Sequence, residues 1–243
     1  MTKRLIFIHG INNHTRTKEQ VEQLWANSLR TALGTRADAW WGDVEISTAY
    51  YAGKLHEEDQ SWPLLKNPFG TRMSAGSPDE DYADTDVAAL YLEFQKVLNI
   101  PNEQVAAELE PGDQMAGMRQ AAGVHKKWIA AIARSLEKVI PGAGNGLARV
   151  ALSQAATYLN KNGVFDEINQ LVFDQVFADH KEGTKTVVVS HSLGTVVAYV
   201  LLRRMQPHPD FPLFVTLGSP LGIEIVRNRI GNPLINPPPA PKC

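Results

Sequence analysis

The apolar positions of this chain change period several times, and the changes lay out its elements. Leu5-Ile6-Phe7-Ile8 is an unbroken apolar run ending in His9-Gly10. An unbroken run, as opposed to an alternating one, predicts a short strand buried on both faces, as in a parallel sheet. Thr17 and Gln20 have the spacing of a capping box, so a helix is expected to begin there. Val21, Leu24, Trp25 and Leu29 then fall on one face of it. Residues 44–51 alternate and are rich in Ile, Thr and Tyr, which predicts a second strand. Prolines and glycines break the rhythm over 53–112, with a helix predicted at 86–98. Helical periodicity covers 113–140, around Met115, Met118, Trp128, Ile129, Ile132, Leu136 and Val139. It stops at the glycine-rich Pro141 to Gly146 and returns at 147–160 and 164–179. A buried-type strand follows at 186–189, then the turn Ser190-His191-Ser192-Leu193-Gly194, a helix at 195–205 and a strand at 211–217.

Strands separated by helices predict an α/β fold: a mostly parallel central sheet with flanking helices, and a large helical insertion between the second and third strands. The expected organisation is a core from 1–52 and 181–231, incomplete at its C-terminal end. Residues 53–180 form a helical insertion or lid and core-flanking helices, and 232–243 is a proline-rich tail that cannot be regular structure. Composition then narrows the class. A net charge of −2 provides no basic field for nucleic acid and no polybasic patch for anionic lipid. The one cysteine, Cys243, excludes an internal disulfide framework and a cysteine-based zinc site, and fits a reducing compartment. No stretch approaches the roughly 20 apolar residues of a membrane helix, and Leu5–Ile8 is too short for a signal peptide. A cytoplasmic location is expected; the oligomeric state is not legible.

The candidate chemistry centres on Ser192. It lies between a β-branched run and a helix, in the spacing small-x-Ser-x-Gly made by Ser190 and Gly194. A serine on a sharp strand-to-helix turn needs small residues two positions away on either side, because its backbone is strained and bulky neighbours would clash. The helix beginning at Leu193 aims backbone N–H groups and its positive end at the site, which suits a developing oxyanion. The bland alternative is a serine that merely caps that helix. A second oxyanion donor must come from the loop after an upstream strand. His9-Gly10-Ile11-Asn12-Asn13 supplies such a loop, with the Ile11 N–H first and Asn12 second. Glycine lets that backbone come close. His9 is expected to shape the loop and not to transfer a proton.

Leu5–Asn12, Val187–Gly194 and Phe214–Pro220 together resemble the α/β-hydrolase superfamily, nearest its lipase-like branch that includes GPI-inositol-deacylase-like esterases. The resemblance covers three short segments only. It implies a carboxylic ester hydrolase that forms an acyl-enzyme on Ser192, acting on a small-molecule or lipid-like acyl ester, with no cofactor and no metal. Ser190, His191, Gly194, His9 and Gly10 would then support the elbow and its loop. In this superfamily a catalytic acid and then a histidine follow the serine. Here the only later histidine is His208, in the loop entering strand 211–217 at the sheet end opposite the elbow. His191 lies within the elbow and is expected to point into the fold. His14, His56, His125 and His180 precede the serine, and Glu224 is expected to be a solvated helix residue. The acid and histidine are therefore expected beyond Cys243. The chain is expected to be truncated by about 50–80 residues at ordinary element lengths, and impaired or inactive. Strand 211–217 would otherwise be a bare apolar edge.

The rivals are weaker. A pseudo-hydrolase that uses the pocket only for binding is the main alternative. Pro141 to Gly146 lacks the spacing of a dinucleotide loop and follows a helix, not a strand. The acidic stretch Asp79, Glu80, Asp81, Asp84, Asp86 reads as a solvated helix start, and the scattered histidines give no metal spacing. Met115, Met118, Trp128 and Ile132 are expected to be core residues of a helical pair more than the lining of a lid.

Overall fold

The computed structural model of the protein describes residues 3–39, 41–61, 85–113, 119–120, 123–139, 147–205 and 210–231. The Asp79–Asp84 run, Met115, Met118, the glycine-rich stretch, His208 and the tail lie outside these. The chain divides into two compact units: Met1–His56 with Gly163–Gly222 and Val226–Cys243, and Glu57–Asn162 with Ile223–Ile225.

The first unit is an α/β layer built on four parallel strands. In chain order these are β1 (Lys3–Ile8), β2 (Val44–Ala49), β5 (Lys185–His191) and β6 (Leu213–Leu217), standing in the order β2-β1-β5-β6. Leu5 faces Ile46 on one side and Val187 on the other; Val189 faces Val215. The unbroken apolar run makes β1 a central strand, and Leu5 to Ile8 are all buried. Three helices pack on the sheet: α1 (Lys18–Leu33), α7 (Val164–Val176) and α8 (Leu193–Arg204). The crossovers β1→β2 and β5→β6 run in opposite directions across the sheet. A right-handed crossover therefore puts α1 on one face and α8 on the other.

That arrangement explains one departure from expectation. The apolar run at 186–189 predicts a strand buried on both faces. Thr186, Val188 and Ser190 are buried, but Val187 and Val189 are only partly covered. Helix α1 lies over β1 and β2, with Trp25 against Phe7 at 5.3 Å. It leaves a groove of about 480 Å³ lined by Leu5, Leu29, Val187, Val189, Leu213 and Val215, among others. Its apolar stripe is also narrower than the sequence pattern. Val21 is fully buried, but Leu24 is 49% exposed. The capping box is present: Thr17 N–H donates to Gln20 Oε1 at 2.9 Å, and Gln20 N–H to Thr17 Oγ1 at 3.3 Å.

The second unit is helical. Helix α2 (Ala52–Ser61) runs into it, followed by α3 (Thr85–Val97), α4 (Asn102–Ala106), a two-stranded antiparallel pair β3 (Arg119–Gln120) and β4 (Gly123–Val124), α5 (Lys126–Val139) and α6 (Leu147–Asn160). The continuous helix expected over 113–140 is thus only α5, preceded by the small strand pair. Leu90, Tyr91, Trp128, Ile129, Ile132 and Leu136 form the core of this unit. Trp128 and Ile132 are core residues, 3% and 0% exposed. A short helix α9 (Glu224–Arg229) follows β6, with Glu224 exposed at its start. Among the described residues no helix is long and apolar enough to cross a membrane.

Candidate active site

In an open α/β sheet, ligands bind beyond the carboxyl ends of the strands, where neighbouring strands send their connections to opposite faces. Here that place is the crevice between β1 and β5. The loop His9–Asn13 leaves one strand and Ser192 leaves the other.

Ser192 is the single residue between β5 and α8. Its backbone, at φ 51° and ψ −128°, lies in a region L side chains rarely adopt. The conformation is held from three sides. Ser192 N–H donates to Leu217 O at 2.9 Å. Its carbonyl accepts from Thr195 N–H at 3.0 Å and from Thr195 Oγ1 at 2.7 Å. With that proton committed, the 2.7 Å contact between Thr195 Oγ1 and Ser219 Oγ has Ser219 as donor, and Ser219 Oγ in turn accepts from Leu221 N–H. One polar chain thus ties the loop after β6 to the elbow. The side chain of Ser192 does not cap α8, and among the described residues its hydroxyl makes no hydrogen bond. The capping role weighed for this serine is therefore absent.

Two glycines let the crevice close this tightly. A Cβ on Gly194 would sit 2.3 Å from His9 O and 2.4 Å from Ile8 O, so the first turn of α8 lies directly on the end of β1. A Cβ on Gly10 would sit 2.7 Å from Ser192 Cβ and 3.0 Å from His191 Nδ1. Ser190, the small residue before the turn, is fully buried and donates to Val215 O at 3.2 Å.

The loop after β1 is built around His9. The ring is fully buried, and that desolvation lowers its pKa to about 4 despite the hydrogen bond to Gly10. The neutral ring has a fixed tautomer. Nδ1–H donates to Gly10 O at 2.6 Å, and Nε2 accepts from Tyr51 N–H at 3.2 Å. Tyr51 stacks on the ring at 4.4 Å, and its hydroxyl donates to His9 O at 2.7 Å. Asn13 Nδ2 donates to Gly10 O and Ile11 O at 3.2 and 3.0 Å, and Asn12 has a φ of 58°. Asn13 stands in the loop that the sequence picks out, without a role assigned to it there, and Tyr51 is a site-building residue that the sequence does not announce. Asn at a loop position was a usable signal, since its side chain bonds nearby backbone and it tolerates positive φ. Nothing in the local sequence singled out Tyr51.

His191 departs from expectation. It is exposed and does not turn into the fold. Its ring lies beside Gly10 and Gly218 and edge-on to Trp25 at 6.4 Å. Partial burial there lowers its pKa. The other described histidines are placed elsewhere. His14 stacks on His56 at 3.8 Å, His125 Nδ1 accepts from Lys127 N–H, and His180 meets Asp210 at 3.4 Å near the start of β5. Among the described residues no histidine is hydrogen-bonded to Ser192, and no group of three or more His, Cys, Asp or Glu is arranged to hold a metal ion.

The chain matches no family model, and comparison with curated proteins and with solved structures finds no match.

Proposed function

We propose that the chain is a serine hydrolase of the α/β-hydrolase type, cleaving an acyl ester through a covalent intermediate on Ser192. One observation carries the reading: a strained serine at φ 51°, at the switch point of a parallel sheet, with a hydroxyl that caps nothing. Strained non-glycine backbone persists where the surrounding structure over-determines it, and it clusters at active sites. Ser192 Oγ attacks the ester carbonyl carbon as its proton passes to a base. The carbonyl oxygen becomes an oxyanion facing the N–H groups of Leu193 and Ile11, with Asn12 as the alternative donor. Losing one such donor typically costs about 10²–10³ in rate. Collapse expels the alcohol, which takes up the proton, and water then releases the acyl group. Helical residues 53–180 are read as an insertion on this core, and the lone Cys243 suits a reducing, cytoplasmic setting.

A second reading is favoured by the absence of a histidine at Ser192 among the described residues. It makes the chain a non-catalytic module that binds acyl compounds in the crevice. Among the described residues no base is hydrogen-bonded to Ser192, and a serine hydroxyl that lacks one keeps only binding and oxyanion stabilisation. Fluorophosphonate labelling with mass mapping separates the readings. The hydrolase reading expects slow adduct formation confined to Ser192 and abolished by Ser192→Ala. Adduct elsewhere, or binding of acyl ligands with no adduct at any time, rejects it in favour of the binding module.

A further inference from the structure

The elbow at Ser192 is gripped by one short segment, Leu217-Gly218-Ser219, at the carboxyl end of β6. Three contacts make the grip, and they fall on three successive parts of the turn. Before the serine, the His191 ring lies beside Gly218, where a Cβ would stand 3.6 Å from Nε2. At the serine, Leu217 O accepts from Ser192 N–H at 2.9 Å. After it, Ser219 Oγ donates to Thr195 Oγ1 at 2.7 Å, and Thr195 Oγ1 donates to Ser192 O at 2.7 Å. Gly218 makes the last two compatible. Its φ of 55° turns the chain sharply, so the carbonyl before it and the hydroxyl after it both meet the elbow.

The hydroxyl pair is the part of this grip that the sheet ladder does not supply. Thr195 is fully buried, and a buried hydroxyl left without a partner costs its full desolvation. A threonine in a helix can bond back to the carbonyl three or four residues earlier. Here that carbonyl belongs to the strained residue itself. Ser219 is set in turn by Leu221 N–H, which donates to Ser219 Oγ at 3.2 Å. The chain from Leu221 N–H through Ser219 Oγ and Thr195 Oγ1 to Ser192 O runs in one donor direction, and hydrogen bonds so linked strengthen one another. A strained residue keeps its conformation only where its surroundings over-determine it. We propose that Thr195 and Ser219 are positioning residues. Their paired hydroxyls hold Ser192 at positive φ, and the loop after β6 thereby sets how reactive Ser192 is. The hold on the elbow stands on geometry alone; the effect on reactivity rests on the hydrolase reading.

A double-mutant cycle in the full 243-residue chain is the test. The readout is the advantage of Ser192→Gly over Ser192→Ala in the folding equilibrium constant, measured with urea and expected to be about fivefold in the wild-type background. Ser219→Ala and Thr195→Val each remove one hydroxyl of the pair. In either background the elbow relaxes, and the advantage should fall below about twofold. Ser219→Thr keeps the hydroxyl and should keep the advantage. Each value compares two variants in one background, so general destabilisation by Ser219→Ala or Thr195→Val cancels. No advantage in the wild-type background, an undiminished one in both weakened backgrounds, or one lost equally in Ser219→Thr overturns the positioning role. Fluorophosphonate labelling with Ser192 intact reads the second half. Adduct formation should slow at least tenfold in Ser219→Ala and stay within about threefold of wild type in Ser219→Thr. Equal rates in wild type and Ser219→Ala overturn the effect on reactivity. A wild-type chain that forms no adduct rejects the hydrolase reading, and with it the effect on reactivity, while the cycle alone decides the hold on the elbow.

Discussion

At the scale of single residues, the crevice trades stability for geometry, and the trade is measurable. A residue held in a sparsely populated region costs of order 1–3 kcal/mol. Replacing Ser192, at φ 51°, by glycine releases that strain and gives back about 0.5–1 kcal/mol to the freer unfolded chain. Ser192→Gly should therefore raise stability by about 1 kcal/mol and abolish labelling. Ser192→Ala, which keeps the strain, should leave stability nearly unchanged. Thermal melts of the pair decide it, and a glycine variant less stable than the alanine variant would show the elbow to be unstrained. The two glycines should fail in a graded way. Gly10→Ala meets Ser192 Cβ at 2.7 Å and the His191 ring and carbonyl oxygen at 3.0 Å, a milder overlap. Gly194→Ala strikes the backbone carbonyls of Ile8 and His9 at 2.4 and 2.3 Å. Overpacking typically costs about 1–3 kcal/mol, and Gly194→Ala should be the costlier of the two by urea denaturation.

His9 gives the site a pH signature. Its folded pKa of about 4 lies below the ordinary value of 6.5, so the unfolded chain binds a proton the folded one refuses. This histidine's contribution is complete above pH 6.5 and is lost as the pH falls from 6.5 towards 4. The difference is worth roughly 3 kcal/mol at most, since each pKa unit is about 1.4 kcal/mol. Asp210 acts in a lower window. Burial alone would raise its pKa. The Gly183 N–H, Lys185 and His180 together hold it below the usual 3.8, so its contribution fades only as the pH falls through the carboxylate range. Urea titrations of the wild type and His9→Phe at pH 7 and 4.5 separate the two. The wild type should lose stability between these conditions and the variant distinctly less. Equal slopes would mean that His9 is not the buried neutral group described here.

At the scale of elements, α1 shows what a sequence pattern does and does not determine. Its start is a local event, two reciprocal hydrogen bonds between Thr17 and Gln20, and the residue types alone announce it. Thr17→Ala should cost about 1 kcal/mol, a fall of about 2–4 °C in melting temperature for a chain of this size. An unchanged melting temperature would mean that the cap adds nothing. The inner face of α1 was less legible, because Leu24 has the spacing of a core residue and yet is exposed. Which part of an apolar stripe is covered depends on how far the helix overlies its sheet, and that is a tertiary fact. The same reason left Val187 and Val189 half open in a run that reads as fully buried. The serine turn was legible because Ser190, Ser192 and Gly194 are close in sequence. The His9–Tyr51 clamp was not, because its partners are 42 residues apart and neither has a local signature.

At the scale of the whole chain, each compact unit carries its own core, and this has thermodynamic consequences. In the first unit Ile6, Ile8, Val188, Val196 and Val200 are buried between the sheet and its helices; in the second, Leu90, Ile129, Ile132 and Leu136 are buried among helices. Chains with more than one core commonly unfold in more than one step, and a single unfolding free energy is then not defined. Ile132→Ala removes a fully buried side chain from the second core, a change that usually costs about 2–5 kcal/mol. If the units unfold separately, peptides from α5 and α6 should lose hydrogen-exchange protection in this variant at denaturant concentrations where β1 and β5 peptides stay protected. Val188→Ala, in the first core, should reverse the pattern. Parallel loss in both units for either substitution would mean a single cooperative block, and the crevice at Ser192 would then depend on the helical unit for its stability as well as on its own sheet.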